Sequence, residues 1–90
     1  MFKTLEELIA TIRQRKDSSA EDSYTKKLLK NKKLSIEKVK EEIAELIDAI
    51  EKNSNKVHES ADVLYHLMVL LEANDIKIED GMDELKKRQK

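Results

Sequence analysis

Five acidic residues in two short clusters are the part of this chain whose types and spacing could do chemistry. The clusters are Glu41-Glu42-Ile43-Ala44-Glu45 and Glu59-Ser60-Ala61-Asp62. In each, carboxylates three residues apart share one helix face, about a turn from each other. Glu42, Glu45, Glu59 and Asp62 brought together make an all-oxygen site for a hard divalent cation. Mg²⁺ suits such a site because it binds through a few carboxylates together with substrate phosphates. It polarises a phosphoryl oxygen and lowers the pKa of a bound water, so a pyrophosphate bond is a natural target. Without a cation the four carboxylates repel, and some would have to take up protons.

Two helices must carry these clusters. Ser35 is a good N-cap for the first, which is expected to end near Asn53. Along it Ile36, Val39, Ile43, Leu46, Ile47 and Ile50 recur at helical period, while Lys38, Glu42, Glu45 and Ala49 line a different stripe. Asn53-Ser54-Asn55 supplies a turn and caps. A second long helix is predicted from about Lys56 to Ala73. From 61 to 71 its apolar residues lie on nearly every side, so burial around most of its circumference is expected. Glu59, Asp62 and His66 form its one narrow polar stripe. Long helices joined by a tight turn pack antiparallel. Glu45 stands nine residues before Ser54, and Asp62 eight after it. At ~1.5 Å rise per residue they reach nearly the same height, with Glu42 and Glu59 about a turn to either side.

The rest of the chain reads as shorter helices. Thr4 and Glu7 have the spacing of a capping box, and Leu5, Leu8, Ile9 and Ile12 give a stripe to about Lys16. Residues 17–22 read as a polar loop. Residues 23–30 read as a short helix with Leu28 and Leu29 inward, and 31–34 as a second connection. Ile78, Met82 and Leu85 mark a last helix, with Lys86, Lys87 and Arg88 favourable at its C-terminal end. Met68 and Met82 are expected as core filler, His66 as a packed histidine, and His58 as surface. The expected architecture is all-α: a single domain over 1–90, an antiparallel bundle of about four to five helices.

Composition narrows the class of function. The chain has 90 residues, of which 41% are charged, yet its formal net charge is only −1. That balance exerts no general pull toward nucleic acid or anionic membrane. Lys26, Lys27, Lys30, Lys32 and Lys33 form a local basic stretch, most simply a solvated helix face. With no cysteine, thiolate and disulfide chemistry are excluded. The longest apolar run, 67–71, is far too short to span a bilayer, and no signal-peptide pattern opens the chain. A cytoplasmic protein is expected.

Read alone, the first acidic cluster is also explained as a solvated face paired with Lys38 and Lys40. The second cluster favours a site, since Glu59 and Asp62 begin a helix with little other polarity.

Glu41-Glu42-x-x-Glu45, thirteen residues, then Glu59-x-x-Asp62 resembles the signature of the all-α nucleoside triphosphate pyrophosphohydrolases, the MazG-like superfamily. Three further segments are similar to the phosphoribosyl-ATP pyrophosphohydrolases of histidine biosynthesis. They are Ser23-Tyr24-Thr25-x-Lys27-Leu28-Leu29, Lys38-Val39-x-Glu41-Glu42, and the run from Ala61-Asp62-Val63-Leu64-Tyr65-His66-Leu67 to Leu71. Two positions depart from the family's habit: Lys40 replaces a small residue, and Lys77 replaces a cap on the last helix.

The resemblance implies Mg²⁺-dependent hydrolysis of phosphoribosyl-ATP to phosphoribosyl-AMP and pyrophosphate. It implies Glu42, Glu45, Glu59 and Asp62 as metal ligands, and Glu41 as an outer carboxylate or base. Lys38 would neutralise phosphate charge, and Ser23, Tyr24, Thr25 and Lys27 would contact substrate. It also implies a homodimer whose helices complete a shared bundle, and the highly apolar 61–71 helix independently asks for such cover. Two other readings stay open at this point: a general nucleoside triphosphate pyrophosphohydrolase of the same fold, and a non-catalytic helical dimerisation module.

Overall fold

A computed structural model describes residues 2–17 and 23–89. Most of the expected loop at 17–22 lies outside these residues. The described chain forms five helices: α1 Lys3–Asp17, α2 Tyr24–Lys30, α3 Lys32–Lys52, α4 Lys56–Ala73 and α5 Ile78–Arg88. No strand occurs among the described residues, and none of the helices is long and apolar enough to cross a membrane.

The caps explain most boundaries. Ser23 starts α2 by accepting a hydrogen bond from the Lys26 amide at 3.3 Å. Asn31, rather than Ser35, starts α3, its side chain accepting from the Leu34 amide at 3.0 Å. The connection expected at 31–34 therefore shrinks to one residue. Asparagine is as good an N-cap as serine, and capping there carries Leu34 into the helix and onto the core. Ser35 ends up inside α3, 1% exposed. Likewise α1 begins at Lys3, so Thr4 lies within it rather than capping it.

Asn53 ends α3 in the left-handed conformation (φ 53°), and the Ser54 amide reaches back to the Ala49 carbonyl at 2.9 Å. Asn55 is also left-handed (φ 57°). Asparagine tolerates this conformation better than most residues, so the Asn-Ser-Asn turn reverses the chain at once. α3 and α4 then share the most extensive contact in the fold.

The core is a cluster of Ile12 from α1, Leu28 from α2, and Met68 and Val69 from α4. Along α3 the residues turned inward are Ser35, Val39, Glu42, Leu46 and Ala49, alternating four and three apart. The apolar face read from periodicity splits: Val39 and Leu46 turn inward, while its isoleucines look out, Ile47 52% exposed and Ile50 57%, with Ile36 and Ile43 similar. On α4 burial deepens from Glu59 and Asp62 through His66 to Val69 and Ala73. Carboxylates thus occupy seam positions between the two helices where apolar residues would be more stable. Leu64 is exposed too, so a single copy leaves part of α4 uncovered.

α5 contributes no buried residue, and Met82, expected as core filler, is 51% exposed. What holds α5 is Ile78 against the core and Arg13 of α1. The Arg13 Nε bonds Glu72 of α4 at 2.9 Å, and its two terminal nitrogens bond Glu79 of α5 at 2.9 and 2.6 Å. These bonds hold the Glu79 carboxyl down at about 2. A depressed carboxyl contributes stability that is complete above its unfolded value near 4.5 and lost as pH falls toward 2. Acid is therefore expected to release α5 before the core opens. Amide hydrogen exchange at pH 7 and pH 3 would show α5 losing protection first, and Glu79→Gln should reproduce that loss at pH 7. Equal protection of α5 at both pH values would remove this role from the pair.

Candidate metal centre and active site

The Asn-Ser-Asn hairpin sets the acidic stripes of α3 and α4 side by side. Carboxylate oxygens of Glu41, Glu42 and Glu45 lie within 4.8 Å of one another, as do ligand atoms of His58, Glu59 and Asp62. The two groups feel each other across the helix pair. Burial, then the neighbouring Glu45 carboxylate, pushes Glu42 above its ordinary carboxyl range, and Asp62 adds to the shift. Burial, then Glu45 and Asp62, pushes Glu59 upward. Glu45 thus acts on Glu59, and Asp62 on Glu42, from the neighbouring helix.

Glu42 Oε2 and Glu59 Oε2 are both sheltered from solvent and have no hydrogen-bond partner. A buried oxygen without a partner costs free energy, and one such oxygen in each of the two acidic groups fits a divalent-cation site. The donor set fits as well: all four carboxylates are hard oxygen ligands of the kind Mg²⁺ or Mn²⁺ takes. A groove of about 520 Å³ runs from this cluster toward the hairpin, bounded by Glu41, Glu45, Asp48, Lys52, Asn55 and Glu59.

Glu41 points outward and meets Lys38 Nζ at 3.4 Å. That contact raises the Lys38 pKa, so its ammonium stays charged. Tyr24 and Thr25 open α2 and stand over α4. The Tyr24 hydroxyl lies 2.9 Å from His66 Nε2, and its ring stacks on Tyr65 with centroids 6.3 Å apart. Burial raises the Tyr24 pKa, Lys38 opposes this, and Glu42 and Glu41 add to it. Tyr24 therefore borders the acidic cluster. Thr25 Oγ1 bonds the Tyr65 hydroxyl. The Ser23 hydroxyl is engaged as the α2 cap. Lys27 is exposed on α2, and the structure does not bring it to the carboxylates.

Two residues of this site escape a reading of periodicity alone. His58, expected only as surface, reaches Asp62 at 3.4 Å; its signal was the four-residue spacing to Asp62. Tyr65 lies off the polar stripe of α4 but on the side where α2 docks, which only the packing of α2 reveals.

The family model for phosphoribosyl-ATP pyrophosphohydrolase matches residues 5–89. A Haloarcula marismortui protein named phosphoribosyl-ATP pyrophosphatase is 42% identical, with 94% of this chain and 92% of that protein covered. A Rhodobacter capsulatus protein of the same name is 44% identical over 93% of this chain and 84% of its own. A Pyrococcus furiosus histidine biosynthesis bifunctional protein is 45% identical over 96% of this chain, which spans only 41% of that longer protein. With matches running through both acidic clusters and the α2 segment, the chain belongs to the phosphoribosyl-ATP pyrophosphohydrolase family.

Proposed function

We propose that this protein hydrolyses phosphoribosyl-ATP between its α and β phosphates, releasing phosphoribosyl-AMP and pyrophosphate, the second step of histidine biosynthesis. The observation that carries this reading is the pair of sheltered, unpartnered oxygens of Glu42 and Glu59, one in each of the two acidic groups on neighbouring helices, in a chain of this family. Glu42, Glu45, Glu59 and Asp62 would hold Mg²⁺. When bound, the ion would neutralise phosphate charge and increase the acidity of the attacking water.

The protein's own groups do the rest. Glu41, exposed and held by Lys38, takes the proton from the attacking water. Oxygen of that water bonds to one phosphorus as the bridging P–O bond breaks, and the electron pair leaves with the other phosphate. Lys38 faces the negative charge that builds on the phosphates. Tyr24 and Thr25, on α2, contact the substrate, with Ser23 and Lys27 at the edge of the same segment. The absence of cysteine accords with a reducing, cytoplasmic setting.

Pyrophosphate release from phosphoribosyl-ATP, with and without Mg²⁺ and beside plain ATP, tests the reading. Mg²⁺-dependent release from phosphoribosyl-ATP in strong preference to ATP is expected. Equal turnover of plain nucleotides would instead make the chain a general pyrophosphohydrolase. No turnover of either would leave a helical module with an acidic face.

The working unit is a homodimer. Ile36, Ile43, Ile47 and Ile50 form an exposed apolar stripe on α3, and Leu64 lies exposed on α4. Apolar stripes of this kind mark interaction surfaces. The double change Ile43→Lys and Ile47→Lys is expected to convert the dimer to monomer in sedimentation equilibrium. A wild-type chain that sediments as a monomer would contradict the assignment.

A further inference from the structure

His66 is almost fully buried and uses both ring nitrogens. Its Nδ1 lies 2.8 Å from the backbone carbonyl oxygen of Asp62. A carbonyl oxygen can only accept, so Nδ1 carries a proton. In the neutral imidazole Nε2 is then a bare lone pair. The Tyr24 hydroxyl, 2.9 Å from that lone pair, must donate to it. A phenol has one proton, and here it is spent on His66. What Tyr24 still offers a ligand is an oxygen lone pair.

The ring has little freedom to escape this role. It stacks on Tyr65 at an interplanar angle of 18° and meets the His66 ring edge-on at 5.8 Å. Tyr65 is itself set edge-on to His66 at 4.9 Å and is tied to Thr25 of α2. Three rings from two helices therefore lock one another. Yet Tyr24 remains 47% exposed, so one side of it is open to a ligand.

An acceptor is the wrong partner for a phosphate, whose oxygens are themselves acceptors at neutral pH. It is the right partner for a hydroxyl or an amine. Tyr24 borders Lys38, Glu41 and Glu42 closely enough to exchange charge effects with them. A nucleotide reacting at those carboxylates places its triphosphate-bearing ribose next to the reacting phosphates, and its base amine farther off. We infer that Tyr24 is a specificity residue that accepts a hydrogen bond from a hydroxyl of that ribose, and that His66 is the positioning residue that forces it to do so. This rests on the nucleotide chemistry proposed above, and it narrows the substrate contact of Tyr24 to the sugar.

The test is steady-state kinetics on phosphoribosyl-ATP and on its analogue lacking the 2′ and 3′ hydroxyls of the adenosine ribose. Tyr24→Phe is expected to raise KM for the natural substrate about tenfold with little change in kcat, the equivalent of one hydrogen bond of about 1.4 kcal/mol. His66→Leu should match it, and the double variant should be no worse than either, because the two act as one unit. His66→Gln, whose amide oxygen can still accept from Tyr24, should recover most of the loss. None of these variants should change KM for the dideoxy analogue. An equal KM rise for both substrates, multiplicative effects of the two residues, or a fall in kcat alone would overturn the inference and leave the proposed activity standing. If the wild-type enzyme turns over only plain nucleotides, the proposed substrate fails, and the same comparison on ATP and 2′,3′-dideoxy-ATP decides the role of Tyr24. Turnover of no nucleotide at all would overturn both.

Discussion

Glu42→Gln is expected to lower pyrophosphate release from phosphoribosyl-ATP by at least about a hundredfold, since losing even an outer-sphere partner of a metal ligand costs 10–100-fold. The change keeps the shape of the side chain and removes its charge. In the metal-free protein that removal should not cost stability. Burial and the adjacent Glu45 raise the Glu42 carboxyl pKa in the folded state. A carboxyl with a raised folded value binds its proton more tightly when folded. Its contribution is therefore full below the unfolded value and lost as pH rises through the folded one. At neutral pH the ionised Glu42 works against folding, and glutamine relieves this.

Thermal melts with and without Mg²⁺ separate the two effects. An ion that binds only the folded wild-type chain at a hundred times its Kd stabilises it by about 2.7 kcal/mol, or roughly 10–20 °C in Tm for a domain of this size. Glu42→Gln should melt at or above the metal-free wild type and gain much less from Mg²⁺. Should Mg²⁺ leave the wild-type melt unmoved, the carboxylate cluster is not a metal centre, whatever Glu42 does to the rate.

The second large effect concerns Leu28. It is fully buried in α2, against Ile12, Met68 and Val69. α2 has only seven residues, too few to hold a helix by itself in water. Its one buried side chain therefore anchors the element that carries Tyr24 and Thr25. Leu28→Ala is expected to cost about 2–5 kcal/mol, a large share of the 5–15 kcal/mol typical of a small domain. The denaturation midpoint should fall with little change in slope. KM should rise as well, because Tyr24 loses its seat. Leu28→Met, which keeps the volume, should cost less than about 1.5 kcal/mol and restore both. A Leu28→Ala protein of full stability would mean that α2 is held by its polar contacts to α4 rather than by the core.

Much of the site was legible before the fold was known. Three-residue spacing puts Glu42 with Glu45 and Glu59 with Asp62 whatever the tertiary structure, because helical periodicity is local. Asn53-Ser54-Asn55 announced the hairpin, since asparagine is among the few residues that readily take the left-handed conformation observed at both ends of that turn. Counting from the turn put Glu45 and Asp62 near one height, with Glu42 and Glu59 about a turn to either side; in the fold Glu45 acts on Glu59 and Asp62 on Glu42 across the helix pair.

The direction in which α3 faces was not legible. Two stripes compete on that helix, one of isoleucines and one running through Ser35, Val39, Glu42, Leu46 and Ala49. Hydropathy alone favours the isoleucines, but it scores a helix as though it had one partner. In the fold the carboxylate stripe turns toward α4 and the isoleucines turn outward, where a second copy would bury them. Nor could periodicity choose between Asn31 and Ser35 as the cap of α3, since both are good caps and only docking Leu34 on the core separates them.

The sequence by itself determined the helices, the hairpin and which carboxylates share a helix face, because these follow from contacts within a turn or two of chain. Tertiary structure alone decided which stripe of α3 is buried, where the seven-residue α2 docks, and hence that the Tyr24 hydroxyl donates to His66. The docking of α2 and the Tyr24–His66 bond depend on residues about forty positions apart in the chain, and no local spacing encodes a contact of that range.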